Sequence, residues 1–149
     1  MKLFTWNLEL QTLNSKLVVL NLESIVQCPK CSSEMEDVEI YEVIVKRCAG
    51  CKGLWFDRSK HEYLRDQEDS VDIDIGDPNI GKVLNEQENI LCPGCFAPMI
   101  RMVVADQPHI WYESCSKCFS VFFDAGEFRD YVEKDIIDLV KDLFTRERK

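Results

Sequence analysis

The chain has 149 residues, 46% of them hydrophobic and 30% charged, which excludes a disordered polymer and allows one or two small domains. Its net charge of −9 disfavours sequence-independent binding to nucleic acid, where contacts to phosphates supply most of the affinity. The longest aliphatic run, Leu17 to Leu20, is four residues, against the roughly twenty that a bilayer-crossing helix needs.

Residues 1–27 carry two overlapping patterns. Phe4, Trp6, Leu8 and Leu10 alternate with polar residues, then a turn and Leu17 to Leu22 follow, which predicts a β-hairpin. Leu3, Trp6, Leu10, Leu13, Leu17 and Leu20 also fit a heptad seam, so a helix is the alternative. Only Lys2 is basic at the start, and Thr5, Asn7 and Glu9 interrupt any apolar leader. Without an export signal a cytoplasmic location is expected, with thiols kept reduced and available to metal rather than to disulfides.

Residues 28–66 open on Cys28-Pro29-Lys30-Cys31 and reach a second pair, Cys48 and Cys51, after sixteen intervening residues. The same device returns as Cys92 and Cys95, then Cys115 and Cys118 after nineteen. All eight cysteines of the chain belong to these two quartets. Paired Cys-x-x-Cys knuckles are a metal-site spacing. The β-rich stretch from Val38 to Lys46 forms the hairpin that turns the second knuckle towards the first, so that four thiolates enclose one tetrahedral ion. A unit of about forty residues needs such a staple, because burial alone seldom stabilises it. Met35 and Trp55 are expected beside the metal.

The quartets belong to a longer repeat. A shift of 64 places Cys28, Pro29, Cys31 and Met35 on Cys92, Pro93, Cys95 and Met99. A shift of 67 places Cys48, Cys51, Phe56 and Asp57 on Cys115, Cys118, Phe123 and Asp124. The difference is a three-residue insertion, placed most simply in the second hairpin turn. Asp57 reads as the N-cap of a helix reaching Arg65 with Leu64 inward, rather than as a catalytic carboxylate. His61 lies on that helix as a spare metal donor that a complete quartet does not need. His109 reads as a surface turn residue.

Residues 67–91 hold seven acids (Glu68, Asp69, Asp72, Asp74, Asp77, Glu86 and Glu88) against Lys82, and read as a solvated acidic linker. Asp77-Pro78 predicts the start of a short helix within it. Residues 92–127 form the second ribbon, which leaves through Asp124-Ala125-Gly126-Glu127, a capping box. Residues 128–149 then keep apolar residues at helical spacing, from Phe128 and Tyr131 to Leu143 and Phe144, predicting a long amphipathic helix. A small ribbon offers little area for so long a stripe, so the helix is expected to meet the N-terminal segment, a partner, or a second copy in a homodimer.

These residues resemble the transcription factor IIB-type zinc-finger family, whose motif is Cys-Pro-x-Cys, a hairpin, then Cys-x-x-Cys-x-Gly-x-Trp-(Leu/Phe)-Asp-x-Gly-Glu-Leu. The first unit carries Gly53, Trp55, Phe56 and Asp57 of it, with Ser59-Lys60-His61 where Gly-Glu-Leu is usual. The second carries Asp124, Gly126, Glu127 and Phe128, with Ser120 for the glycine and Phe122 for the tryptophan. The resemblance implies a four-cysteine zinc ribbon in each unit and no particular activity. Its tie to transcription is the ribbon type alone, which in general transcription factors contacts polymerase.

The expected fold is therefore small α+β, two tandem four-cysteine zinc ribbons (knuckle, β-hairpin, knuckle, helix) followed by a long C-terminal amphipathic helix. Cys28, Cys31, Cys48 and Cys51 would hold one Zn2+, and Cys92, Cys95, Cys115 and Cys118 a second, with iron the alternative occupant. The expected function is a non-enzymatic interaction scaffold for a macromolecular partner in transcription or translation. One alternative is nucleic-acid binding at the basic second knuckle of ribbon 1, where Lys52 and Arg58 flank Trp55 and Phe56. Another is a rubredoxin-like iron or thiol redox protein.

Overall fold

The computed structural model describes residues 25–133. Strands β1 (Met35–Ile40), β2 (Val43–Cys48), β3 (Leu54–Phe56), β4 (Met99–Val104), β5 (Gln107–Cys115) and β6 (Val121–Phe123) form one antiparallel sheet in the order β1-β2-β3-β6-β5-β4. The helices are α1 (Lys60–Arg65), α2 (Pro78–Leu84) and α3 (Glu127–Val132), with a 3₁₀ helix at Glu68–Ile73.

The repeat maps element onto element. A shift of 64 carries β1 onto β4, and a shift of 67 carries β3 onto β6 and α1 onto α3 without remainder. The two units join where β3 pairs with β6: Leu54 faces Phe123, Trp55 faces Phe122 and Phe56 faces Val121. Under the shift of 67 the Trp55–Phe122 pairing exchanges with itself and the other two exchange with each other, so the seam has the form of an isologous dimer interface within one chain. The ribbons share a sheet.

The three-residue insertion lies at the second hairpin. In ribbon 1 the turn is Tyr41-Glu42, both at positive φ (48° and 61°), as a two-residue mirror-image turn requires. In ribbon 2 Val104 still faces Gln107 across two residues, but Val103 faces Trp111, so 108–110 bulge out. The bulge turns Ile110 into the core, fully buried.

Strand alternation sorts the sheet into two faces. Val45, Leu54, Phe56, Val121 and Phe123 form a core with Leu64 of α1, Phe128 and Tyr131 of α3, and Ile73. The other face gathers Met35, Met99, Phe122 and Trp55 with the cysteines. Both methionines therefore lie in the cluster around the quartets, and Leu64 points inward.

Four expectations need correction or fall elsewhere. The acidic stretch is no solvated spacer: Ser70, Ile73 and Asp74 are buried, and Gly76 and Gly81 pack closely against Ala125. Asp57 does not cap α1; the N-cap is Ser59, without a side-chain bond, and Asp57 is exposed 4.0 Å from Lys60. In ribbon 2 the N-cap is Gly126 at φ 89°, not Asp124. The α3 cap comes from the linker instead. The Asp74 carboxylate accepts the backbone N–H groups of Gly126 and Arg129, each at 3.0 Å, while the Arg129 guanidinium donates to the Asp74 carbonyl at 2.6 Å. Finally, α3 ends at Val132 and Glu133 is extended (ψ 104°), so no single helix runs on from Phe128. The rest of the expected C-terminal helix, and the N-terminal hairpin up to residue 24, lie outside the described residues. Asp77 caps α2, accepting the Asn79 N–H at 2.8 Å, with Pro78 in the first turn.

Candidate metal centres

Each knuckle follows from a short loop closed by its own backbone. In the first, the Cys28 N–H donates to the Ser33 carbonyl and the Ser32 N–H to Cys28; in the third, Cys92 and Phe96 repeat both bonds with Ala97 and Cys92. The hairpins bring the paired knuckles back. The result is two groups, Cys28, Cys31, Cys48 and Cys51, and Cys92, Cys95, Cys115 and Cys118, with all sulfurs of a group within 4.8 Å of one another.

The sulfur spacing fits a metal and not a disulfide. Cys28 and Cys51 are 3.6 Å apart and Cys31 and Cys48 3.3 Å; Cys95 is 3.4 Å from Cys115 and 3.6 Å from Cys118. Four sulfurs about 2.3 Å from one zinc would stand about 3.8 Å apart, whereas a disulfide needs about 2.0 Å. Backbone donors already face the sulfurs. The Cys51 N–H points at Cys48 Sγ, and the Lys117 and Cys118 N–H groups at Cys115 Sγ, each at 3.4 Å. Such donors stabilise thiolate charge. Hydrogen bonding from the Cys28 thiol lowers Cys51 to about 5; burial raises Cys115, but the backbone N–H groups of Cys118 and Lys117 together with the Cys95 and Cys118 thiols bring it down to about 6. Burial pushes Cys92 up to about 12. Four thiolate donors per group fit zinc, and iron as well.

Neither histidine joins a quartet. His61 is buried on the helix face of the sheet, against the rings of Phe56, Tyr112, Phe123 and Tyr131. Burial lowers its pKa, and its Nδ1 has no partner. His109 is exposed on the β5 bulge.

Sequence reasoning missed a buried ionic cluster between the centres. Lys30, inside the first knuckle, sends Nζ into ribbon 2, 2.6 Å from Glu113 Oε1 and 3.3 Å from Asp124 Oδ2. The same ammonium donates to the carbonyl of Leu84 at 3.2 Å. All three charged side chains are almost wholly buried. Burial pushes the Asp124 carboxyl up to about 7, against the pull of Lys30. No local pattern announces this contact, since Lys30 and Glu113 are 83 residues apart. The one signal is asymmetry in the repeat. The counterpart of Lys30 is Gly94, whose Cα instead lies under the Trp55 ring.

The basic side chains of ribbon 1 are largely engaged. Lys46 pairs with Asp37 at 2.6 Å, Arg47 with Glu36 at 2.9 Å and Arg65 with Asp106 at 2.8 Å. Phe56 is fully buried and Trp55 partly so, so this aromatic pair does not form a joint stacking surface beside Lys52 and Arg58.

Residues 27–64 match the model of the transcription factor zinc-finger family. The match spans the first quartet, β1 to β3 and most of α1; the second quartet lies outside it, where Ser120 and Phe122 replace the glycine and tryptophan of the motif. No curated protein and no solved structure matches the chain. The chain thus contains a zinc ribbon of this type and a second four-cysteine group built on the same plan. Among the described residues no helix is long and apolar enough to cross a membrane.

Proposed function

We propose that this is a non-enzymatic zinc protein, holding one Zn2+ in each quartet and presenting ribbon 2 to a protein partner. Zinc in these sites supplies folding energy: four thiolates close its shell and leave no position for substrate. The observation that carries the partner reading is a pair of phenylalanines. Phe96 and Phe119 each follow the second cysteine of a ribbon 2 knuckle, and they are 76% and 59% exposed. Both have left-handed backbone, φ 60° and 62°, where a bulky residue is disfavoured. Ribbon 1 carries Ser32 and Lys52 at the equivalent positions, with the same φ sign. The fold gains nothing from the two exposed rings, whereas an interface would bury both. A role in transcription or translation extends the reading through the family match.

Metal analysis and partner capture test the two halves separately. Protein purified without added metal should carry two zinc ions per chain and no visible absorption; iron with charge-transfer bands would replace the zinc reading with an electron-transfer one. The zinc-loaded chain should retain a defined protein that the double variant Phe96→Ser, Phe119→Lys releases while keeping its metal. Equal capture by both chains would remove these rings from the interface.

A further inference from the structure

Each metal centre is partly supported by the other unit. The first knuckle of ribbon 1 is tied to ribbon 2 by Lys30, which lies between the ligands Cys28 and Cys31 and reaches Glu113 at 2.6 Å and Asp124 at 3.3 Å. Glu113 stands two residues before the ligand Cys115. The first knuckle of ribbon 2 is backed by Trp55: a Cβ on Gly94, between the ligands Cys92 and Cys95, would meet its ring at 3.1 Å. Trp55, Phe122 and Glu113 form one cross-strand row through β3, β6 and β5, with Lys30 fixed at its end. Cys28, Cys48 and Cys51 of the first quartet share one buried cluster with Cys92 and Cys115 of the second and with Phe122.

We propose, resting on the zinc reading given above, that the two quartets load cooperatively through the Lys30 and Trp55 contacts. Each ion raises the affinity of the other quartet at least tenfold, so that the chain with a single ion is a minority species. A structural zinc ion is folding energy for its ribbon, because it orders knuckles that the unfolded chain does not hold. Here the knuckle that one ion orders is packed against residues of the other unit. Contacts ordered by the first ion need no ordering at the second, and the difference appears as tighter binding. Such coupling is reciprocal, and tenfold lies within the usual range of roughly 5- to 150-fold. A chain that loses the ion of ribbon 1 therefore holds that of ribbon 2 more weakly, and with it the knuckles that carry Phe96 and Phe119.

Native mass spectrometry of the full chain, equilibrated in a zinc buffer at a mean of one ion per chain, tests this. Two independent sites leave about half of the chains or more with a single ion, because unequal affinities only enrich that species. Tenfold coupling between equal sites lowers the share to about a quarter. A share well below half is expected, with the remaining chains either empty or doubly loaded. A share of half or more would overturn the proposal while leaving two zinc sites in place; a chain that takes up no zinc would overturn it together with the zinc reading. The variant Lys30→Met, Glu113→Gln, Asp124→Asn removes the ionic tie without stranding a charge. Its single-zinc share should rise towards half, with two ions still bound at saturation. An unchanged share would overturn the assignment of the coupling to these contacts.

Discussion

Trp55 and Phe122, equivalent residues of the two repeats, face each other at the centre of the β3–β6 seam. Their side chains lie on the metal face and reach across to the other unit. Trp55 covers Gly94 in the third knuckle, and the Phe122 ring lies against Gly53, beside the second. A Cβ on Gly53 would stand 2.4 Å from the Phe122 ring. The glycine of the ribbon motif is thus used here to let the opposite unit approach.

Gly53→Ala should therefore destabilise the zinc-loaded protein by about 1–3 kcal/mol, the cost of overpacking a close contact. Phe122→Leu, which removes the ring, should recover part of that loss in the double variant, measured as a coupling energy from urea midpoints. Strict additivity would show that the Gly53 effect arises elsewhere.

Lys30 is the second bond between the units. Lys30→Met leaves Glu113 and Asp124 buried without their cation, and should cost about 3–5 kcal/mol. Adding Glu113→Gln and Asp124→Asn removes the stranded charges and should restore much of the stability. If Lys30→Met shifts the unfolding midpoint no more than an exposed Lys60→Met, the cluster has no such role.

The legible part of this fold was the part set by local spacing. Ligand pairs, the β1–β2 hairpin, the helix after each second knuckle and the Asp77 cap all depend on residues a few positions apart. The motif aspartates misled because Asp57 and Asp124 precede their helices by the spacing of a cap, yet neither caps: one is exposed and the other is buried against Lys30. The true cap of α3, Asp74, is drawn from a stretch whose acidity reads as solvation. Its burial depends on Gly76, Gly81 and Ala125 fitting together, a tertiary fact without periodicity. The shared sheet was equally hidden, since a three-residue strand carries little pairing information by itself.

Ser59 occupies the place that Gly126 holds in ribbon 2, and the place of the glycine in the family motif. Its φ is 21°, beside Arg58 at 27°, where Gly126 has 89°. A side chain is disfavoured in this region, so Ser59→Gly should raise stability by roughly 1 kcal/mol. The converse change, Gly126→Ser, should lower it by more, because a Cβ there would meet Pro78 at 2.8 Å. A gain in the unfolding midpoint for the first and a loss for the second check the pair; loss in both would show that Ser59 makes a contact worth more than its strain.

His61 stands where ribbon 2 has Phe128 and where the family motif has leucine. Four aromatic rings surround it, its Nδ1 is buried without a partner, and burial lowers its pKa from 6.5. The unfolded chain therefore takes up the proton at a higher pH than the folded one. Stability from this site is fully present above about pH 6.5 and is lost as pH falls towards the lowered folded value. His61→Leu removes both the unpartnered nitrogen and the titration. It should be more stable than the parent at neutral pH by about 1–2 kcal/mol, the order of an unmet buried hydrogen bond. Its advantage should widen as pH falls below 6.5. Acid also weakens thiolate–metal bonds, but equally in both proteins, so the difference between them isolates the histidine. Denaturant midpoints of the two proteins between pH 5 and 8 make the comparison. A constant difference across that range would mean that His61 finds a proton acceptor in the folded state, and that its burial is not what sets its charge.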